Sequence, residues 1–332
     1  FWWLAAVMAW MLAAAAEAAG ERSAAFVDQL ASAGARELTD WVLTTGDQEF
    51  FEKKYGTATP ANVTQFLTFD EEYPSSIWSS VSRARENARS VRDIISREMW
   101  QELNEFYLMV QQAAIPNAQP EDLIDFCARV KRAGIYFEGV TNATLSRGEA
   151  FHFAHLGRML ERADKTSRIL DVKYFLLSPG QVQSHAQSQS QSQSPSAGAQ
   201  VQVQNGNGVD TPADQLGWTT LLNSASALQM YRQIWHVTTP QSVSEFLLLD
   251  RNFPRSILRC VRRAQESLHS VSGAPLGSFE SEAERLVGRL RSELEYAKIE
   301  EIMEQGLHQY LDGLQGQLNE VGSAVSAQFF EF

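Results

Sequence analysis

The densest group of chemistry-bearing side chains in this sequence is Ser146-Arg147-Gly148-Glu149, followed by Gly157-Arg158, Glu161-Arg162, Asp164-Lys165, Arg168 and Asp171. Arginine presents a rigid fork of N–H donors that pairs a carboxylate or phosphate through two parallel bonds, and glutamate can orient such a fork or take a proton. Arg158 to Glu161, Glu161 to Lys165 and Asp164 to Arg168 are three or four residues apart, so on a helix each pair shares a face. A second group, Arg85-Glu86-Asn87-Ala88-Arg89-Ser90-Val91-Arg92, repeats the mixture. A crevice lined by Arg85, Glu86, Asn87, Arg89, Arg147, Glu149, Arg158, Glu161, Arg162 and Arg168 would hold a peptide or another carboxylate-bearing ligand. Alternatively, Glu149 or Glu161 would act as a general base on a peptide amide or amine, which requires burial to raise its pKa. The plainer reading is a solvated helix face whose pairs contribute about 0.2–0.5 kcal/mol each. Against it stand Gly157, which permits close helix approach, and the apolar Ile169 on the same flank.

Metal chemistry is the weaker alternative. Glu149 with His152 and Glu266 with His269 have the E-x-x-H spacing that supplies half of a di-iron carboxylate site in helical bundles. The residue 180 positions before His269 is Arg89, however, and an arginine repels a cation, so no metal or other cofactor is assigned. Serine nucleophile elbows, P-loops, Gly-rich dinucleotide turns and HExxH are absent.

The elements that must position these residues read as helices. The first cluster lies on a run in which Phe153, Leu156, Leu160, Ala163, Ser167, Leu170, Tyr174 and Leu177 are spaced alternately three and four apart, with Met159 and Ile169 off that seam, so contact on two faces is expected. The second lies on a seam from Ile77 through Val81, Ala84, Ala88, Val91 and Ile95 that continues, after one stutter, through Met99, Leu103, Phe106 and Val110 as a single long helix. Further helices are expected from about Glu280 to Tyr296 and from about Ile299 to the C-terminus. No stretch sustains period-two alternation, so the fold class is all-α.

The sequence also repeats itself. Thr59-Pro60, Phe66-Leu67, Asp70, Pro74, Ser76-Ile77, Val81, Arg83-Ala84, Glu86 and Val91 recur as Thr239-Pro240, Phe246-Leu247, Asp250, Pro254, Ser256-Ile257, Val261, Arg263-Ala264, Glu266 and Val271, at a constant offset of 180 residues (240 − 60). Thr59 and Thr239 read as N-caps with Pro at the first helical position, and Pro74 and Pro254 as openers of a second helix. The expected architecture is a multi-helix bundle of two pseudo-repeats sharing one core, with residues 1–177 and 214–332 as the repeats. Residues 178–213 between them, rich in Gln, Ser and Gly and lacking Lys, Arg and aromatic residues, form a flexible linker.

Composition narrows the partners. With 28 Lys and Arg against 40 Asp and Glu the net charge is −12, which excludes a general nucleic-acid binder. Two cysteines, Cys127 and Cys260, exclude a disulfide framework and CxxC zinc sites. Residues 1–16 carry no charge, yet Glu17 arrives before the roughly 20 apolar residues a bilayer core requires, so a buried bundle helix is expected and a membrane is not.

At Phe66-Leu-Thr-Phe-Asp70 to Arg89, Ser96-x-Glu98-Met-Trp100, Glu138-Gly-Val-Thr141, Ser146-Arg147-Gly-Glu149, Leu156-Gly-Arg158-x-Leu-Glu161-Arg162-Ala-Asp164 to Tyr174, and Glu245-Phe-Leu-Leu-Leu-Asp250-Arg-x-Phe-Pro254, together with Thr44-Thr-Gly-Asp47, the sequence resembles the bacterial alpha-E domain family. The resemblance covers nearly all of the chain from about residue 40 except the linker. It implies an all-helical cytoplasmic protein that partners a circularly permuted ATP-grasp ligase and a transglutaminase-like protease in a system that makes or modifies peptides. It departs at Trp3 to Trp10, where Ala and Trp stand in place of a first polar cluster.

Overall fold

A computed structural model of the chain describes residues 48–114, 120–177 and 212–329. The apolar segment at 1–16, Trp3 to Trp10, the Thr44–Asp47 motif and nearly all of the 178–213 stretch lie outside the described residues. Within them the chain forms thirteen helices and no strand. These are α1 (Gln48–Tyr55), α2 (Pro60–Thr68), α3 (Ile77–Ser90), α4 (Arg97–Ala113), α5 (Pro120–Thr144), α6 (Glu149–Leu177), α7 (Pro212–Ser224), α8 (Leu228–Ile234), α9 (Pro240–Leu249), α10 (Ile257–Ser272), α11 (Glu282–Tyr296), α12 (Ile299–Gln305) and α13 (Leu307–Phe329). No helix among the described residues is long and apolar enough to cross a membrane.

Capping chemistry sets the helix starts. Thr59 accepts from the Asn62 N–H at 3.3 Å while the Asn62 side chain accepts from the Thr59 N–H at 2.6 Å. At the matching position Thr239 and Ser242 exchange the same pair of bonds, both at 3.1 Å. Each box satisfies donors that a helix N-terminus leaves orphaned. The following helices do not open at Pro74 and Pro254. They open two residues later, because Ser76 and Ser256 cap Ser79 and Arg259 while their own hydroxyls donate to the carbonyls of Asp70 and Asp250. The prolines sit in the turns that these serines close.

Two expected long helices are broken. The seam from Ile77 to Val110 reverses between α3 and α4, where Ser96 caps Met99 at 3.1 Å and Val91 and Ile95 stay buried inside the turn. Because turn and helices bury the same seam, the apolar period runs through the reversal unbroken. The run from Ile299 divides at Gly306, whose φ of +100° is open to glycine and strained for other residues.

Instead of one shared core there are two apolar clusters. One is built from Phe51 to Phe151 and the other from Phe153 to Phe329, with Ile169 of α6 packed against both. Helix α6 is the axis of the second cluster. It lies antiparallel to α10, joined by His155 to Ser267 at 2.7 Å and by Thr166 to the Arg255 carbonyl at 3.0 Å. It also lies antiparallel to α13, joined by the Phe153–Phe329 edge contact at 5.2 Å and by Asp171 to His308 at 2.6 Å.

Candidate functional site

Helix α6 carries the densest polar cluster, and successive residues on a helix point about 100° apart. Arg158 and Arg162, four residues apart, are both buried, and both reach Glu138 of α5, at 3.7 and 3.0 Å. Glu161, between them, faces α13 and pairs with Lys165 at 3.2 Å, leaving its side chain 26% exposed. Lys165 also reaches Asp164 at 2.9 Å, and Arg168 pairs with Asp164 at 2.9 Å. Burial pushes the Asp164 pKa up, but the charges of Lys165 and Arg168 outweigh it and hold the carboxyl below its usual range.

Midway between the Phe153–Phe329 and Asp171–His308 contacts, Gly157 of α6 and Gly322, Ser323 and Ser326 of α13 are small, and a cleft of 460 Å³ opens. Gly157, Leu160, Glu161 and Asp164 line it from α6, and Leu318, Asn319, Gly322 and Ser326 from α13. A Cβ added at Gly322 would meet no atom within 4 Å, so this glycine leaves space unfilled. Oδ2 of Asp164 is taken by Lys165 and Arg168, whereas its Oδ1 is buried and lacks a hydrogen-bond partner. A buried carboxylate oxygen in that position calls for a donor. A larger cleft of 580 Å³ lies between α11 and α13, but its carboxylate, Glu293, is already held by Arg289 and Gln317.

The ten residues expected to line one crevice are distributed over three places. Arg85, Glu86, Asn87 and Arg89 lie on α3, which packs on α2 and α4. There Arg85 bonds Asn104 at 2.9 Å and Glu86 at 3.2 Å. Arg147 precedes α6, stacked on Phe151 at 4.0 Å and bonded to the Asn142 carbonyl, and Glu149 beside it is exposed. Arg158, Glu161, Arg162 and Arg168 occupy the middle of α6. Neither Glu149 nor Glu161 has the deep burial that a proton-accepting role calls for. The cleft itself is lined by carboxylates, not arginines, because Arg158 and Arg162 are turned to Glu138.

Near this cluster His155 is half-buried among Arg158, Arg162 and Arg263. Burial first, and then those guanidinium charges, push its pKa down to about 3, so the ring is neutral. The E-x-x-H pairs do not converge. Glu266 is held by Arg263 at 2.6 Å, while His269 is buried against the Ala274 carbonyl at 3.0 Å. Among the described residues no three His, Cys, Asp or Glu side chains gather as a metal site. Cys127 and Cys260 are buried free thiols.

Glu138, Asn319, Gly322 and Ser326 were not among the expected site residues. Glu138 carries a signal in retrospect, as a lone acid in the run Ile135-Tyr-Phe-Glu-Gly-Val140. The family whose sequence pattern matches residues 6–330 is Alpha-E, described as a predicted alpha-helical domain with a conserved ER motif. The chain belongs to the Alpha-E family. No curated protein and no solved structure matches it. Glu-Arg occurs at 21–22, 161–162 and 284–285, and only Glu161-Arg162 falls within the blocks that carry the alpha-E resemblance. In this Alpha-E chain the dipeptide therefore divides its work. Arg162 ties α6 to α5 through Glu138, and Glu161 lines the cleft toward α13.

Proposed function

We propose that this chain is a binding component of a bacterial, cytoplasmic peptide-making or peptide-modifying system, acting beside a circularly permuted ATP-grasp ligase, and that the α6–α13 cleft holds a peptide. The partner, with a transglutaminase-like protease as a second, rests on the alpha-E resemblance. The ligand rests on one observation: the buried, unpartnered Oδ1 of Asp164 beside Glu161 in a cleft whose walls include Gly157, Gly322, Ser323 and Ser326 together with Leu160 and Leu318. The two glycines leave room for an extended main chain, the leucines give it apolar contact, and the two carboxylates receive its amine or amide N–H groups. The site thus reads the donor end of a peptide, where the sequence alone pointed to carboxylates. The 180-residue recurrence, with its paired capping boxes and serine caps, supports an internal duplication as the origin of the bundle.

Calorimetric titration with short glycine- and alanine-rich peptides, free or acetylated at the amine, tests the ligand. Free-amine peptides should bind, and D164N and E161Q should each weaken them about tenfold or more. Equal binding of acetylated peptides together with unaffected variants would remove the reading. Co-purification of the chain with the ligase from native cells tests the partner separately.

A further inference from the structure

Helices α3 and α4 pack antiparallel, and along their outer seam aromatic rings and guanidinium groups alternate. Trp78 lies 5.7 Å from Tyr107, Tyr107 is covered by Arg85 at 4.6 Å, Arg85 lies 5.9 Å from Trp100, and Trp100 is covered by Arg92 at 4.7 Å. A guanidinium stacked on a ring is covered on one face, while its N–H edge stays available for in-plane bonds. Stacking also orders the long side chain in advance, which lowers the entropy cost of engaging a ligand. Arg85 is fixed further by Asn104, which accepts from Nε at 2.9 Å, and by the largely exposed Glu86, which accepts from one terminal nitrogen at 3.2 Å.

The charge on this face is not balanced. Among the described residues Arg92 has a ring partner and no ion pair, and it is exposed. Arg85 and Arg89 share one carboxylate, Glu86, at 3.2 and 3.8 Å, and its side chain is 59% exposed. A chain of net charge −12 thus carries a local excess of arginine on a rigid aromatic support. We propose that this ladder is a docking site for an acidic polypeptide segment, with Arg85 and Arg92 each pairing a carboxylate and the Trp100 ring forming the platform between them.

Charge complementarity selects that occupant. Glu86 in the middle of the patch disfavours a polyphosphate chain, whose closely spaced charges need many unopposed cations. Two or three separated carboxylates fit the two arginines that flank Trp100. The site is independent of the α6–α13 cleft, which neither α3 nor α4 lines.

Fluorescence anisotropy with a labelled hexaglutamate peptide, on the full chain, tests the proposal. Hexaglutamate should bind saturably, weaken as salt rises, and bind at least about tenfold more weakly to the R85Q/R92Q variant. The R285Q variant, which removes a surface arginine on α11, should bind like the parent. Circular dichroism checks that R85Q/R92Q keeps its helices. If it does not, R92Q, which alters an exposed side chain, should still weaken binding about threefold. The proposal is overturned by absence of saturable hexaglutamate binding, by equal affinity in the arginine variants, or by a dT12 oligonucleotide binding more tightly through the same arginines.

Discussion

Arg162 donates to Glu138 at 3.0 Å across the α5–α6 boundary, from a guanidinium only 8% exposed to a carboxylate 29% exposed. Glu138 also receives Arg158 at 3.7 Å, so one partly solvated acid serves two buried cations. Breaking a fully buried pair costs roughly 3–5 kcal/mol, because the remaining charge keeps its desolvation penalty. The exposure of Glu138 reduces that figure. E138Q should therefore destabilise the fold by about 1–3 kcal/mol in urea unfolding at pH 7. Because R162M removes one of the cations that Glu138 serves, the double variant E138Q/R162M should lose less than the sum of the two single changes. Strict additivity would mean that the two side chains are not coupled.

A second carboxylate acts inside a turn. Asp70, buried below α2, accepts from Lys54 and Tyr55, each at 2.8 Å, and from the N–H groups of Glu72 and Tyr73. Burial works to raise its pKa, but these hydrogen bonds prevail and hold it below the usual carboxylate range. A folded-state pKa below the unfolded one gives stability that is complete above about pH 4 and fades as pH falls through the folded value. Acid titration should show the parent losing stability below about pH 4. D70N, already weakened by about 1–3 kcal/mol at pH 7, should show a flatter decline over the same range.

The caps of α2 and α9 were legible in the sequence because a cap is made by residues three positions apart and Thr-Pro states it locally. The polar face of α6 was legible as a helix for the same reason. Helices α3 and α10, in contrast, were expected to open at Pro74 and Pro254 and are capped instead by Ser76 and Ser256, whose hydroxyls are held by the carbonyls of Asp70 and Asp250. What was not legible is where each face of α6 points. Arg162 meets a partner 24 residues away, His155 one 112 away and Asp171 one 137 away, and no spacing rule spans those distances. The reversal at Val91 to Ser96 was hidden because the turn buries the same seam as the helices on either side. The cleft escaped notice because it is made by what α13 lacks at Gly322 and Ser326.

His155 supplies a pH dependence in the mildly acidic range. Its folded-state value of about 3 lies well below the roughly 6.5 of an unfolded histidine, so the unfolded chain takes up a proton that the folded one refuses. Stability from the neutral ring is complete above about pH 6.5 and declines toward pH 3, by at most about 1.4 kcal/mol per unit. The urea midpoint of the parent should fall between pH 7 and pH 5. H155N keeps a polar partner for Ser267 and should show a shallower fall. Identical pH profiles for the two proteins would assign the slope to other groups.

Gly322 separates folding from binding in the cleft. It lies within α13, where glycine costs about 0.5–1 kcal/mol relative to alanine, and an added Cβ would meet no atom within 4 Å. G322A should therefore raise stability by up to about 1 kcal/mol. G322L should extend a side chain toward Glu161 and Asp164 and remove peptide binding while leaving the helices folded by circular dichroism. A glycine that only serves helix packing would behave in the opposite way, with alanine already destabilising. Stabilisation by G322A combined with undiminished binding in G322L would place the ligand outside this cleft.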